Sequence, residues 1–127
     1  MLRRSMSWIV GVCLVAASPV AVVAQSVDEL HERGDAAQEA NNYEEAARIF
    51  REIIERAPND DEAYFELGYT LRQQGKLEEA IANYRQALQI NPDYAVAYNN
   101  LGYALQQQGK LQEAVQNYRQ AIQSDPD

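Results

Sequence analysis

Cysteine and histidine are almost absent from this sequence of 127 residues, which contains one of each, Cys13 and His31. Cys13 lies in an N-terminal segment that we expect to be removed, so disulfide bonds cannot stabilise the remaining chain. A lone histidine among carboxylates makes a poor transition-metal site. No Ser/His/Asp or Cys/His nucleophile can be assembled from what is left. We therefore predict a protein that is not an enzyme and that holds no metal and no cofactor.

Positive charge is also scarce, because 11 Lys and Arg stand against 19 Asp and Glu, and the net charge is −8. This balance excludes nucleic acid as an expected partner, since a negatively charged protein repels phosphates. The acids are concentrated in residues 27–60, which carry 10 acids and 4 bases. This end of the chain either favours a basic partner or is a solvated surface with ion pairs such as Glu44 with Arg48 and Glu52 with Arg56.

The apolar residues are unevenly placed, and the one long apolar run is at the N-terminus. Arg3 and Arg4 precede an uncharged, apolar-rich run over residues 5–24. This run ends in small residues at the positions that a signal peptidase recognises. We expect residues 1–24 to be a signal peptide cleaved after Ala24, and the protein to be periplasmic or secreted. The alternative is a membrane-anchored protein with an uncleaved segment, because about 20 apolar residues can just span a bilayer.

The rest of the chain is an internal repeat. Residues 61–93 and 95–127, aligned at an offset of 34, are identical at 21 of 33 positions. A more divergent copy precedes them, so the repeat units are 27–60, 61–94 and 95–127. A fixed period of this length is typical of a stacked repeat architecture rather than of a single globular core.

Each unit has the pattern of two helices. In unit two, apolar residues recur at helical spacing, Gly75 interrupts them, the spacing resumes at Leu77, and Pro92 ends it. Gly75, Gly109 and Asn41 tolerate the left-handed conformation that ends a helix. The pattern predicts helix pairs over residues 27–40 and 43–57, 61–74 and 77–90, and 95–108 and 111–124.

Small residues recur where two helices of a unit must cross, as at Gly68 and Ala80, with bulky neighbours around them. The recurring positions resemble the tetratricopeptide repeat, whose pattern is large, Leu, Gly, large, Ala, aromatic, Ala, Pro. Unit three meets this pattern in full, as does unit two, which carries it in Tyr64, Leu67, Gly68, Leu71, Ala80, Tyr84, Ala87 and Pro92. Unit one departs from it at Arg33, Ala37 and Ile53. The resemblance implies an all-α, right-handed superhelical solenoid of three helix-turn-helix repeats over residues 27–127.

The resemblance also implies a function, the binding of a protein or peptide in a concave groove lined by the first helix of each unit. Eight residues at groove positions are the candidate peptide-binding residues: Phe65, Glu66, Tyr69, Arg72, Asn99, Asn100, Tyr103 and Gln106. The wider set of groove positions includes Asp28, His31, Glu32, Asp35, Gln38, Glu39, Glu62 and Val96. Between units two and three these positions change radically while the second helix changes gently, as expected of a retained scaffold with an altered binding face or of drift at exposed positions.

The candidate residues suggest a ligand. Arg72 is the only base among them, so the clamp with which members of this family grip a terminal carboxylate is incomplete. Asn99 and Asn100 suit a peptide backbone, and the aromatic residues can hold apolar side chains or stack on a cation. We expect an extended, basic-to-neutral peptide with an aromatic or aliphatic anchor.

The last helix of unit three carries a strip that would be exposed if no further helix covered it: Val115, Tyr118, Ala121 and Ile122. This strip would pair with a second copy of the chain, dock on a partner, or be covered by further repeats of a longer protein. We expect a non-catalytic adaptor or assembly factor acting outside the cytoplasm. The alternatives are a self-associating structural module, tethered to the membrane if residues 1–24 remain, and a fragment of a longer repeat-containing protein.

Overall fold

A computed structural model describes residues 25–127, and within that range all regular structure is α-helical. The six helices are α1 Val27–Glu39, α2 Tyr43–Arg56, α3 Asp61–Gln73, α4 Leu77–Ile90, α5 Ala95–Gln107 and α6 Leu111–Ser124. Each helix begins and ends within one residue of its predicted span, which confirms the three hairpins and the all-α class. The signal peptide or anchor predicted for residues 1–24 lies outside the described residues.

The starts of α1, α2 and α3 are fixed by capping side chains. Ser26 and Glu29 form a capping box on α1, in which the Ser26 hydroxyl accepts from the Glu29 amide at 3.1 Å and the Glu29 carboxylate accepts from the Ser26 amide at 2.9 Å. The Asp60 carboxylate caps α3 by accepting from the amide of Ala63 at 2.9 Å. These bonds satisfy amides that have no partner within the helix.

The turns inside the hairpins use left-handed residues, as the sequence predicted. Gly75 and Gly109 both have φ of 79°, and Asn41 has φ of 58°. Glycine adopts this conformation without the clash that a Cβ atom causes, and asparagine is among the residues that tolerate it best. Each turn therefore reverses the chain at the same place in the repeat.

The crossing inside each hairpin requires a residue without a side chain. A Cβ atom on Gly68 would lie 2.8 Å from the ring of Tyr84 and 3.2 Å from the carbonyl oxygen of Ala80. Gly34 and Gly102 meet Phe50 and Tyr118 in the same way. The predicted role of Gly68 and Ala80 at the crossing is therefore confirmed, because any larger residue would push the two helices apart.

The hairpins stack so that one core runs through all three. Helix α2 packs on α3 and α4 packs on α5, and α3 also touches α5. Leu30, Phe50, Leu71, Tyr84 and Leu105 are fully or almost fully buried along this core. None of the six described helices is long and apolar enough to cross a membrane. We call the side formed by α1, α3 and α5 the inner surface and the side formed by α2, α4 and α6 the outer surface.

The outer surface carries several ion pairs, one of which differs from the prediction. The predicted pair of Glu52 with Arg56 is present. The predicted pair of Glu44 with Arg48 was wrong, because the Arg48 guanidinium lies 2.6 Å from Glu45 and 3.5 Å from Glu52. Spacings of three and four residues both bring side chains together on a helix. Here Arg48 pairs with Glu45, three residues before it, and with Glu52, four residues after it.

Candidate functional site

A hollow of about 440 Å³ lies on the inner surface where α1, α3 and α5 meet. We call it the central hollow. Its lining residues are Gln38, Glu39, Phe65, Glu66, Tyr69, Val96 and Asn100. Four of the eight candidate residues, namely Phe65, Glu66, Tyr69 and Asn100, are therefore brought together here. The other three lining residues belong to the wider set of groove positions given by the repeat.

The position of Glu66 in the central hollow is fixed by a bridge between α1 and α3. The side-chain amide of Gln38 donates to the Glu66 carboxylate at 2.9 Å and also lies 2.9 Å from the hydroxyl of Thr70. Thr70 is fully buried and donates to the main-chain carbonyl of Glu66 at 2.8 Å. The carboxylate is thereby held at one place between two repeat units.

The environment of Glu66 disfavours its negative charge. Burial raises the pKa of Glu66, and repulsion from Asp35 and Glu62 adds to this, while the hydrogen bond from Gln38 and the charge of His31 act in the opposite direction. Within residues 25–127, Glu66 forms no ion pair. The central hollow thus contains a partly buried carboxylate that forms no ion pair with any side chain the structure describes.

The inner surface also carries a cation–aromatic cluster, formed by Arg72, Tyr69 and Tyr103. The guanidinium of Arg72 lies 5.4 Å from the ring centre of Tyr69 and 4.9 Å from that of Tyr103. The buried hydroxyl of Tyr84 is a further neighbour, and burial raises the pKa of Tyr84 to about 12 although Arg72 opposes the change. Arg72 therefore already occupies the two rings that we expected to be open to a cation of the ligand.

Phe65 is a wall of the hollow rather than an open contact surface. Its side chain is 9% exposed and packs on Tyr84 and Tyr94, with ring centres 5.8 and 5.1 Å apart. The equivalent residue in unit one is His31, whose Nε2 lies 2.8 Å from the carboxylate of Asp60. In both units, this position of the first helix contacts the last residue of its own unit, which is the N-cap of the next unit's first helix.

Asn99 and Gln106 lie outside the central hollow. Asn99 occupies the same repeat position as Phe65 and lines a second hollow of about 360 Å³ with Val96, Tyr118 and Ile122 among its neighbours. Gln106 accepts a hydrogen bond from the hydroxyl of Tyr118 at 2.8 Å within its own hairpin. Asn100 remains in the central hollow, where its amide donates to the carbonyl of Val96 at 2.9 Å.

A row of acidic side chains lies on α1, the helix that contributes Glu39 to the central hollow. Glu32, Asp35 and Glu39 are exposed on α1 at spacings of three and four residues, so they lie on one helix face. In the part of the chain that the structure describes, none of the three takes part in an ion pair. Glu39 is also in the last turn of α1, where the helix dipole disfavours negative charge. The same part of the chain holds no group of three or more metal-ligating side chains that could bind an ion.

Comparisons with known proteins agree with this architecture. A family model described as a TPR repeat matches residues 68–109, and models described as tetratricopeptide repeats match residues 27–60, 49–82 and 95–127. Together the matches extend over residues 27–127. A comparison of the sequence with curated proteins found no match.

Several solved structures share the fold at low sequence identity. The crystal structure of MamA is 24% identical, with a TM-score of 0.76 over 80% of this chain and 59% of that one, so this chain spans about three fifths of its length. The TPR2B domain of yeast Sti1 in a complex with pHsp70 is 23% identical, with a TM-score of 0.76 over 78% of this chain and 79% of that one. The first TPR domain of Spaghetti (RPAP3), bound to the HSP90 peptide SRMEEVD, is 22% identical, with a TM-score of 0.78 over 85% of this chain and 86% of that one.

Proposed function

Because the chain belongs to the tetratricopeptide repeat family, we propose that it is a non-catalytic adaptor or assembly factor whose inner surface binds an extended segment of another protein. The observation that carries this proposal is the row of exposed carboxylates on α1, at Glu32, Asp35 and Glu39, which form no ion pair in the described residues. Like charges at these spacings destabilise a helix. The presence of these three carboxylates on one helix face is explained if a ligand neutralises their charge.

The charge of the inner surface also indicates which peptides fit. The Spaghetti domain is bound to SRMEEVD, which contains two glutamates and ends in an aspartate. In this chain Arg72, the base among the candidate residues, is held between Tyr69 and Tyr103, and the acids Glu39 and Glu66 line the central hollow. We therefore propose a basic-to-neutral peptide, with Asn100 bonding to its main chain and Tyr69 and Val96 contacting an apolar side chain.

A pair of adjacent asparagines gives the test a matched control. The purified protein, with Asn100→Ala and Asn99→Ala beside it, is incubated with an array of random extended peptides, and the peptides bound are then measured by fluorescence anisotropy. We expect selection of basic or neutral peptides, weakened by Asn100→Ala and unchanged by Asn99→Ala, which lies outside the central hollow. Selection of acidic peptides, or no selection at all, would contradict the proposal.

Self-association is a second candidate function, favoured by the exposed face of α6. Val115 is 45% exposed, whereas Ile81 and Ala47 at the equivalent positions of units two and one are 4% and 2% exposed under the next hairpin. Leu111 and Ile122 on the same helix are 60% and 64% exposed. Sedimentation velocity over a range of concentrations tests this function: a dimer dispersed by Val115→Glu supports it, and a monomer at all concentrations contradicts it.

The place of action is also a proposal. The basic start, apolar run and small residues of residues 1–24 support export and cleavage after Ala24, and we propose that the protein works in the periplasm or outside the cell. Mass spectrometry of the protein expressed with its native N-terminus tests this. A mass lacking residues 1–24 supports the proposal, and an intact N-terminus in the membrane fraction supports the tethered alternative.

A further inference from the structure

The central hollow combines an apolar wall with a carboxylate. The side chains of Phe65, Tyr69 and Val96 form its apolar part, and the carboxylates of Glu66 and Glu39 form its acidic part. Phe65 is held between Tyr84 and Tyr94, so this wall is fixed before a ligand arrives. A long aliphatic side chain with a positive end has this same combination of a stem that packs on apolar surface and a head that seeks a carboxylate.

Within residues 25–127, no cationic side chain lines this hollow. The nearest bases are committed elsewhere, Arg72 to the rings of Tyr69 and Tyr103 and His31 to the carboxylate of Asp60. One oxygen of Glu66 accepts from Gln38, which is a neutral donor. A carboxylate in partly buried surroundings gains from a cationic partner more than an exposed one does.

We propose that the central hollow is a subsite for one lysine or arginine side chain of the bound peptide, with the stem on Phe65, Tyr69 and Val96 and the cationic head at Glu66 and Glu39. This inference rests on the proposed function, because it assigns the position on the inner surface at which a peptide is read. The exposed acids Glu32 and Asp35 attract basic peptides in general. Glu66, in contrast, selects for a lysine or arginine at one position of the bound peptide.

The repeats themselves supply the variants for a test. The residue equivalent to Glu66 in unit three is Asn100, so Glu66→Asn removes the charge and introduces a side chain that the same helix position already accommodates. The control is Glu78→Gln, an exposed acid at the start of α4 whose equivalent in unit three is Gln112. Both variants change the net charge by the same amount. If Glu66→Asn lowers the thermal unfolding midpoint, Glu66→Gln, which retains the length of the side chain, replaces it.

The experiment is a positional peptide library in which one central residue is fixed as Lys, Arg, norleucine, Gln or Glu and the flanking residues are random. We expect the protein to prefer Lys or Arg by roughly tenfold over norleucine, which keeps the four-carbon stem of lysine and lacks its ammonium group, from one charge-assisted bond. Glu66→Asn should lose that preference while still binding the norleucine peptides, and Glu78→Gln should keep it.

Two results would overturn the subsite, and they are distinguishable from failure of the proposed function. Binding of peptides without discrimination between Lys and norleucine leaves the peptide-binding function standing and removes the subsite. An equal loss in Glu66→Asn and Glu78→Gln assigns the preference to net charge and also removes it. Failure of every peptide in the library to bind contradicts the proposed function, and the subsite with it.

Discussion

The outer and inner surfaces of this solenoid treat their carboxylates differently. On the outer surface Glu45 lies 2.6 Å from Arg48, Glu113 lies 3.6 Å from Arg85, and Glu79 lies 3.9 Å from Arg51. On the inner surface, within residues 25–127, the acids of α1 and Glu66 have no such partner. The outer pairs therefore contribute to local stability, whereas the unpaired acids of α1 lie at like-charge spacings that oppose helix formation.

The largest expected effect is on stability, and it comes from disturbing the crossing inside a hairpin, on which both surfaces depend. Gly68→Ala places a Cβ 2.8 Å from the buried ring of Tyr84, and we expect the free energy of unfolding to fall by about 2 kcal/mol, as for other overpacked cores. Gly102→Ala should cost less, because the ring of Tyr118 that it meets is only half-buried and can move. Urea unfolding of both variants measures the difference. Equal losses would mean that burial of the ring does not set the cost.

The next effect sharpens the comparison by removing three charges from one surface at a time. The inner triple variant is Glu32→Gln, Asp35→Asn and Glu39→Gln, and the outer one is Glu44→Gln, Glu55→Gln and Glu78→Gln. The inner variant should weaken binding of lysine-containing peptides by about tenfold, from three exposed pairs. It should also raise the free energy of unfolding by a few tenths of a kcal/mol, because like charges on α1 are removed.

The outer triple variant is the control for net charge. Its three acids form no ion pair in the described residues and none lines the central hollow, so peptide affinity should stay within about twofold of the unchanged protein at physiological salt. Isothermal titration calorimetry with one peptide measures both variants. Equal losses of affinity would mean that the two surfaces do not differ in function.

Much of the fold could be predicted from the sequence because its determinants are local. Gly75 and Gly109 end a helix by their own conformation, and a glycine equivalent to Gly68 recurs where the two helices of each hairpin cross. The period of 34 residues then repeats the same helix pair in each unit. Each of these signals can be recognised without knowing how one unit sits on the next.

The site was only partly predictable because its geometry arises between units. Phe65 and Asn99 were both expected in the groove from their repeat position, yet Phe65 packs on Tyr94, the N-cap of the next unit's first helix, and Asn99 lies outside the central hollow. The bridge from Gln38 to Glu66 joins residues 28 apart in sequence. The sequence signal for these contacts is a constant spacing of 29 residues, seen in the pair of Phe65 with Tyr94 and in that of His31 with Asp60.

The smallest expected effect concerns pH, and it tests the two surfaces through one carboxyl group on each. The hydrogen bond and charge of Arg48 lower the pKa of Glu45 from its ordinary value of 4.5. Burial raises that of Glu66 above the same value, with Asp35 and His31 on α1 and Glu62 on α3 facing it. The two groups must therefore contribute to the pH dependence of stability with opposite signs.

For Glu66, the folded chain binds a proton more readily than the unfolded chain, so stability falls as the pH rises from 4.5 through the higher folded pKa. For Glu45, the stabilising contribution is fully present above 4.5 and is lost as the pH falls through its lowered folded pKa. Urea unfolding of the protein, Glu66→Gln and Glu45→Gln across this acidic range isolates each contribution by subtraction. We expect difference curves of opposite slope, the Glu66 curve changing at higher pH. Curves of the same slope would mean that the folded chain stabilises the charged form of the inner carboxylate as it does that of the outer one. Glu66 would then have no need of a cation from a ligand, which would contradict the proposed subsite.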